Sequence, residues 1–347
     1  MAAYTTIDNP ELYFQTKLYT GTGSAQSITL DGDENMQPDW VWCKVRSQSD
    51  NHAIFDSVRG GQKQLRSNST DAELTRTNAI SSFDSDGWSM GSQPEMNSNT
   101  ETYVAWCWKA GTSFTNDASA TSIGSIDSAG SFSNDSGISI VSYTGTGSNG
   151  TVKHGLSTAP KIIIFKTRTR SDLDWNVGSD MLGWGNFINI NTNSAQQTHN
   201  LFQDTAPTSS IFYLSGDAGV NDSGGNYIAY CFAEKQGFSS IGSYKGNAST
   251  NGTMVWTGTR PAYVIQKVTD TTSNWNVYDN KRNTFNPHDK LFYADTTSAE
   301  VTHTSMDFLS NGFKLRTTDG ALNGSGNNYI YMAFAEAPFV NSKGVPC

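Results

Sequence analysis

The chain has 347 residues, of which 16% are charged and 12% aromatic, and its formal net charge is −9 at pH 7. This length exceeds a comfortable single core and favours two or three domains. Gly, Ser, Thr and Asn dominate, while aromatic residues are too frequent for disorder, so the composition favours β-structure with many turns. Without a Lys/Arg run or an apolar stretch of about 20 residues, we expect neither a nucleic-acid partner nor membrane insertion.

The N-terminal segment 1–18 lacks the basic region and the apolar region of a signal peptide. We therefore predict synthesis in a cytoplasm. The segment also precedes the first repeat landmark, so we expect an extended arm over 1–18. An extended arm is suited to docking on a partner or adding to a neighbouring sheet edge.

Three tandem copies of one unit, each of about 95 residues, follow from landmarks that recur in the same order. Each copy has a Tyr before a Gly-rich turn, a Pro opening an apolar run, and an Asn shortly before a second Tyr. Since these residues occur in every copy, we assign them to the repeat scaffold. They are Tyr19, Pro38, Asn97 and Tyr103 in copy 1; Tyr143, Pro160, Asn221 and Tyr227 in copy 2; and Tyr244, Pro261, Asn323 and Tyr329 in copy 3.

The predicted fold class is all-β, with three tandem antiparallel β-sandwich or jelly-roll domains. Runs such as "KIIIFK" and "AYVIQK" predict strands, and "FDSDGW" and "FLSNGF" predict hairpin turns between aromatic residues. The predicted boundaries are 19–110 for copy 1, 138–234 for copy 2 and 238–336 for copy 3. Between copies 1 and 2, the Gly/Ser/Ala-rich segment 111–137 is predicted to be a linker, and 337–347 a C-terminal tail.

The four cysteines predict no disulfide framework. Cys107 and Cys231 occupy equivalent strand positions, where copy 3 has Ala333. A position that accepts Cys or Ala is a small buried slot, so we predict buried free thiols there. This pattern fits folding in a reducing cytoplasm.

The sequence predicts no catalytic residue, no metal site and no cofactor. Asp84–Gly87 resembles the start of a calcium loop but lacks the downstream ligands and the final Glu, so a hairpin turn is favoured. The five histidines show no ligand spacing. A glycosidase needs two carboxylates facing each other across a cleft, and no pair stands out among the 32 acidic residues.

The tryptophans divide into structural and candidate contact residues. Trp40 with Trp42, and Trp106 with Trp108, alternate along strands, so each pair points to one sheet face and favours core packing. Trp184, between glycines in "MLGWGNF", and Trp256, in a variable loop of copy 3, have no evident counterparts. We predict these two as contacts for a partner or a glycan.

Several phrases along the whole chain resemble a family of repeated β-domains in virion proteins of bacteriophages, marine ones especially. They include "YFQTKLYTGTGSAQSI", "QPDWVWCKVRS", "YVAWCWKAG", "SIVSYTGTGSNGTVKHGLSTAPKIIIFK" and "YIYMAFAEAPFVNSKGVPC". The resemblance implies a structural or tail-fibre-like protein with a concanavalin-like sandwich. It carries no catalytic residues to transfer.

The resemblance implies a virion exterior, reached by lysis after synthesis in the host bacterial cytoplasm. We expect a non-enzymatic, tail- or fibre-associated protein that binds other virion proteins, forms a homo-oligomer with a trimer favoured, and contacts host-surface glycan. One alternative is a capsid decoration protein that stabilises the head. The other is a glycan-cleaving enzyme on a lectin-like fold.

Overall fold

The computed structural model describes residues 4–347, and nearly all of its regular structure is antiparallel β-strand. The all-β prediction is confirmed. The predicted hairpin turns are also present, with Phe83 opposite Trp88 and Phe308 opposite Phe313.

The strands of copy 1 are β1 (Phe14–Thr20), β2 (Gln26–Thr29), β3 (Trp40–Val45), β4 (Ala53–Asp56), β5 (Lys63–Gln64), β6 (Leu74–Thr75), β7 (Ile80–Asp84), β8 (Gly87–Met90) and β9 (Thr102–Trp108). Segment 111–137 contains β10 (Thr112–Asn116) and β11 (Ser128–Ser133). Copy 2 contains β12 (Ile138–Thr144), β13 (Gly150–Lys153), β14 (Ile162–Thr167), β15 (Asn176–Ser179), β16 (Asn186–Asn189), β17 (Gln197–Thr198), β18 (Ile211–Leu214) and β19 (Asn226–Phe232). Copy 3 contains β20 (Ser239–Lys245), β21 (Met254–Trp256), β22 (Thr259–Val268), β23 (Asn276–Asp279), β24 (His288–Tyr293), β25 (Val301–Leu309), β26 (Gly312–Leu315) and β27 (Asn328–Pro338). The helices are single turns: Pro10–Leu12, Pro94–Asn97, Ala118–Thr121, Ala218–Asn221 and Gly320–Asn323.

Each copy is a sandwich built on the same central pairing. The last strand of the copy lies between the first and third strands, giving β1-β9-β3, β12-β19-β14 and β20-β27-β22. A second layer covers one face: β2-β8-β7 in copy 1 and β13-β18 in copy 2. In copy 3 the sheet continues through β23, β24, β25, β26 and β21, and its end strands close over a core of the copy's own.

The opposite faces of the three main sheets pack together in one hydrophobic core shared by all copies. Copy 1 contributes Trp40, Trp42, Trp106 and Trp108, which confirms that each alternating pair points to one face. Main-sheet strands such as β3 are buried along their full length because both of their faces are covered. The copies are therefore parts of one body, which differs from three separate sandwich domains.

Equivalent lysines form hydrogen bonds between the copies, which are connected in a ring. Lys44 of copy 1 donates to the Thr297 carbonyl of copy 3, at 3.2 Å. Lys166 of copy 2 donates to the Thr70 carbonyl of copy 1, and Lys267 of copy 3 donates to the Asn193 carbonyl of copy 2. Each copy thus contacts the next through the same pair of surfaces, as in a closed head-to-tail trimer. We call the three contacts seam 1–2, seam 2–3 and seam 3–1.

The residue preceding the fourth strand of each copy repeats this cyclic pattern. Trp175 Nε1 donates to the Arg66 carbonyl across seam 1–2, at 2.9 Å, and Trp275 Nε1 donates to the Asn189 carbonyl across seam 2–3, at 2.8 Å. At seam 3–1 the position holds His52, whose Nε2 lies 3.0 Å from the Tyr293 carbonyl oxygen.

The scaffold residues form the same local unit in every copy. The two tyrosines stack, with ring centroids 5.1 Å apart for Tyr19–Tyr103, 5.2 Å for Tyr143–Tyr227 and 4.7 Å for Tyr244–Tyr329. Beside them the scaffold Asn bridges three backbone groups. Asn221, for example, donates to the Ser148 and Ser215 carbonyls and accepts from the Thr146 N–H. Pro38, Pro160 and Pro261 are buried at or near the start of the third strand.

Two predicted boundaries are wrong. The segment 111–137 is not a linker, because β10 and β11 extend the main sheet of copy 2 by pairing with each other and with β12. The arm does not extend to residue 18, because β1 begins at Phe14 and pairs with β9. Residues 4–13 pack on the same chain: the Thr5 hydroxyl donates to the Gln236 carbonyl at 2.8 Å. Residues 1–3 lie outside the described part of the chain.

Candidate functional site

A groove of about 500 Å³ opens where copies 2 and 3 join and the N-terminal segment crosses them. We call it the Trp256 groove. It is lined by Tyr4, Glu234, Gln236, Gly237, Ser239, Ser240, Trp256, Thr257, Gly258 and Tyr331.

The strand alternation of β21 points Trp256 outward. Val255 is buried in the core of copy 3, so its neighbours Met254 and Trp256 face solvent. The Trp256 side chain remains 56% exposed, although its ring meets Phe339 edge-on at a centroid distance of 5.3 Å. The indole therefore presents a large flat apolar face that the fold holds in place but does not cover.

Hydroxyl groups supply the polar part of the groove. Tyr331 and Ser240 lie on neighbouring strands, and their hydroxyl oxygens are 3.1 Å apart. Burial raises the pKa of Tyr331, so the phenol stays protonated at neutral pH. Glu234 is paired with Lys161 at the copy 2 side. An aromatic face beside hydroxyl, amide and carboxylate groups matches the amphipathic surface of a sugar.

The N-terminal segment completes one wall of the groove. Tyr4 donates its hydroxyl to the Gly258 carbonyl at 2.8 Å. The segment is fixed further along by Asp8, which accepts hydrogen bonds from the N–H and the hydroxyl of Ser342, both at 2.6 Å. The wall is therefore bonded to copy 3 and to the C-terminal tail.

Trp184, the other predicted contact, lies elsewhere and is only 6% exposed. Its Nε1 donates to Asp180 Oδ1 at 2.7 Å, and its ring packs edge-on against Phe202 in the core of copy 2. A ring buried in this way does not offer a stacking platform. We therefore exclude Trp184 from the candidate site.

Tyr4, Tyr331 and Phe339 were not predicted from the sequence as groove residues. Tyr331 belongs to the predicted closing strand, where an aromatic residue indicates packing. Tyr4 and Phe339 lie in the predicted arm and tail, and only the tertiary fold brings both of them to Trp256. The aromatic character of Tyr4 and Phe339, in segments otherwise free of repeat landmarks, was the one available signal.

The cysteine prediction is confirmed: Cys107 and Cys231 are buried free thiols. Burial raises the pKa of both thiols. Over residues 4–347 there is no cluster of three or more His, Cys, Asp or Glu side chains arranged to hold a metal ion. No helix within the same range has the length and apolar character needed to cross a bilayer.

Comparison with known proteins identifies the family of the chain. No curated protein matches the chain. The family model described as a domain of unknown function, DUF7483, matches residues 9–338 and so extends over all three copies. The family unit is thus the whole ring of copies, and this chain belongs to the DUF7483 family.

Proposed function

We propose that this chain is a non-enzymatic structural protein on the exterior of a bacteriophage particle, associated with the tail or its fibres, and that it contacts a host-surface glycan. The observation that carries the glycan contact is the Trp256 groove, where an exposed indole stands beside the Tyr331 and Ser240 hydroxyls. The particle assignment rests on the resemblance of the sequence to virion β-repeats.

The rigidity of the groove supports an attachment role. Its walls come from the junction of copies 2 and 3, the turn between β21 and β22, and the bonded N-terminal segment. A preformed site avoids the entropy cost of ordering loops when the ligand binds. Many weak contacts on one particle then combine into strong attachment.

Binding to host-surface polysaccharide tests the glycan contact. We expect Trp256→Ala to weaken binding of the full chain by about tenfold, because buried aromatic contacts carry much of the energy of such interfaces. Met254→Ala, on the same exposed strand face but outside the groove lining, is the matched control and should bind like the unmodified chain. Binding that is absent from the unmodified chain, or unchanged in Trp256→Ala, would contradict the proposal. Release of oligosaccharide during the assay would favour the enzyme alternative.

Capsid decoration is the second candidate, and the closed ring of three copies favours it. A body with three equivalent faces suits positions of threefold symmetry on a particle shell. Immunogold labelling of intact particles distinguishes the two roles. Label confined to the tail end supports attachment, label over the head supports decoration, and the absence of label from all particles would contradict both.

A further inference from the structure

A second cavity, of about 280 Å³, adjoins the Trp256 groove along the N-terminal segment. We call it the Thr6 cavity. Tyr4 and Gln236 line both cavities, so the two share a boundary. The lining of the Thr6 cavity includes Tyr4, Thr6, Asn134, Asp135, Lys235 and Gln236.

Copy 2 shows what occupies the equivalent place when it is filled. Gly155 follows β13 as Gly258 follows β21, and both glycines have a left-handed φ, of +82° and +69°. A Cβ on Gly155 would lie 2.9 Å from the ring of Phe132, which belongs to β11. A Cβ on Gly258 would lie 2.7 Å from the Tyr4 hydroxyl oxygen. Tyr4 therefore occupies in copy 3 the place that the strand pair β10–β11 occupies in copy 2.

A single segment fills this place less completely than two paired strands do. Along the segment, Thr5 and Ile7 are buried, whereas Tyr4 is half-buried and Thr6 is exposed. The segment is thus anchored by alternate side chains and presents Tyr4 and Thr6 to solvent. The space that it leaves uncovered is the Trp256 groove and the Thr6 cavity, which together form one track across Tyr4.

The Thr6 cavity offers hydrogen-bonding groups that a ligand can reach. Thr6, Asn134 and Gln236 are all exposed residues. Asn134 Oδ1 accepts a hydrogen bond from the Ser157 N–H at 2.7 Å, which orients the amide and leaves the two Nδ2 hydrogens for a ligand. The Thr6 hydroxyl can both donate and accept. These uncharged groups match the hydroxyls of a sugar unit, as the hydroxyls of the Trp256 groove do.

We propose that the glycan binds as a linear chain that crosses Tyr4, with one unit on Trp256 and further units in the Thr6 cavity. The Tyr4 ring supplies a second aromatic face partway along the chain. Thr6 and Asn134 bond to the hydroxyls of the units beyond it. The ligand class rests on the proposed function, and the new element is that the site recognises several linked units rather than one terminal sugar.

Size-fractionated fragments of the host-surface polysaccharide, titrated against the full chain by isothermal calorimetry, test the proposal. We expect fragments long enough to cross Tyr4 to bind at least about tenfold more tightly than monosaccharide and disaccharide fragments, because linked contacts act together. In the double variant Thr6→Ala, Asn134→Ala this advantage should largely disappear, while short fragments keep their affinity. Trp256→Ala should weaken the binding of short and long fragments alike. Asn99→Ala, at an exposed position of copy 1 outside both cavities, is the matched control and should bind every fragment like the unmodified chain.

The outcomes separate this inference from the proposed function. If disaccharide and long fragments bind equally tightly, and Trp256→Ala weakens both, the inference is wrong and the proposed function stands. A length dependence that persists in the double variant would also overturn the inference, because the additional units would then lie outside the Thr6 cavity. If neither the fragments nor the intact polysaccharide bind, the proposed function fails and the inference fails with it. Because Thr6 and Asn134 are exposed, thermal unfolding of the double variant should match that of the unmodified chain.

Discussion

Seam 1–2 and seam 2–3 share the same backbone frame but differ in chemistry. At seam 1–2 the buried Arg59 Nε lies 2.6 Å from Asp56 Oδ2, and Tyr230 of copy 2 donates its hydroxyl to the same carboxylate at 2.7 Å. Seam 3–1 repeats the arrangement: Arg282 pairs with Asp279 at 2.6 Å, and Trp106 Nε1 donates to Asp279.

At seam 2–3 the equivalent positions are uncharged. Strand register equates Ser179, opposite Ile162, with Asp56, opposite Trp40. Leu182 stands where the other copies have the arginine, and Met332 stands where they have Tyr230 or Trp106. A residual cavity of about 10 Å³ beside Met332 is lined almost entirely by apolar side chains.

The rims of the seams differ in the same way: the rim of seam 1–2 is charged and the rim of seam 2–3 is not. Arg168 and Glu73 form a two-bond ion pair at seam 1–2, at 2.7 and 3.0 Å, whereas Thr269 and Gln196 meet through a backbone hydrogen bond at seam 2–3. At each seam, the buried carboxylate, the arginine and the hydrogen-bond donor are thus either all present or all replaced. This is expected for a buried ion pair, because loss of one partner leaves an uncompensated charge while replacement of the whole set does not.

The largest loss of stability is expected when one charge is removed from seam 1–2. We expect Arg59→Leu to lower the free energy of unfolding by about 3–5 kcal/mol, because Asp56 would remain buried without its cation. The triple variant Asp56→Ser, Arg59→Leu, Tyr230→Met copies seam 2–3 and should lose less than the single variant. Equilibrium denaturation measures both. A triple variant at least as unstable as the single one would show that the two seam types are not interchangeable.

A smaller effect is expected from a contact that both seam types share. Trp275→Phe removes the Nε1 bond to Asn189 across seam 2–3, and Trp175→Phe removes the corresponding bond to Arg66 across seam 1–2. Each should cost about 1–3 kcal/mol, because a buried carbonyl loses its donor. Trp256→Phe, at an exposed position, is the control and should change stability by no more than about 0.5 kcal/mol. Costs that differ widely between the two seams would mean that the ion pairs alter the shared frame.

The smallest expected effect concerns acid and seam 3–1, where His52 replaces these tryptophans. His52 Nδ1 accepts a hydrogen bond from Trp42 Nε1 at 2.8 Å, which requires the neutral ring. Burial, with Lys44 and Arg282 nearby, holds the pKa of His52 well below 6.5. The unfolded chain therefore takes up the proton first, so this stability is complete only well above pH 6.5 and is lost as the pH falls through 6.5 toward the folded pKa. The loss between pH 7 and pH 6 should be roughly 0.7 kcal/mol.

His52→Gln separates this contribution from those of other buried histidines. Burial also lowers the pKa of His154 and His288, each to about 4, so the unmodified chain has several acid-sensitive groups. The variant removes one of them while keeping an acceptor for Trp42. Denaturation curves at pH 7 and pH 6 should show a smaller acid loss in the variant. An identical loss in both chains would assign the acid sensitivity to the remaining histidines.

The repeat scaffold could be predicted because its signals are local and occur three times. Tyr19 stacks on Tyr103 and donates its hydroxyl to the Met96 carbonyl, and the adjacent Asn97 accepts from the Thr22 N–H, all within one copy. The same spacing recurs in copies 2 and 3. The one-sided placement of Trp40 and Trp42 followed from the side-chain alternation of strands.

The shared core and the β-strands of segment 111–137 could not be predicted in the same way. In the sequence, a strand buried on both faces is a continuous apolar run. That run does not show which copy covers the second face. Segment 111–137 reads as flexible because it is rich in small residues, yet smallness is required there. A Cβ on Gly130 would lie 2.1 Å from the Ile140 carbonyl oxygen of the neighbouring strand.

The candidate site could be predicted only in part, for a similar reason. Trp256 was predicted to lie in a variable loop without a counterpart in the other copies. It lies instead at the end of β21, and it is exposed. Trp184 had the same appearance, because glycines flank it. Its burial depends on Asp180 and Phe202, and no local pattern shows which tryptophan such residues will cover.

The cyclic lysine contacts have a consequence for assembly size. A surface that fits a different surface on an identical neighbour ordinarily permits open-ended growth into filaments. Because three such units are covalently linked, the third unit contacts the first. The two surfaces that would otherwise bind further units therefore occupy each other. Excision of copy 2 would leave a donor surface and an acceptor surface without their neighbours on the same molecule. Such a shortened chain would be expected to polymerise, so the number of copies sets the end point of self-association.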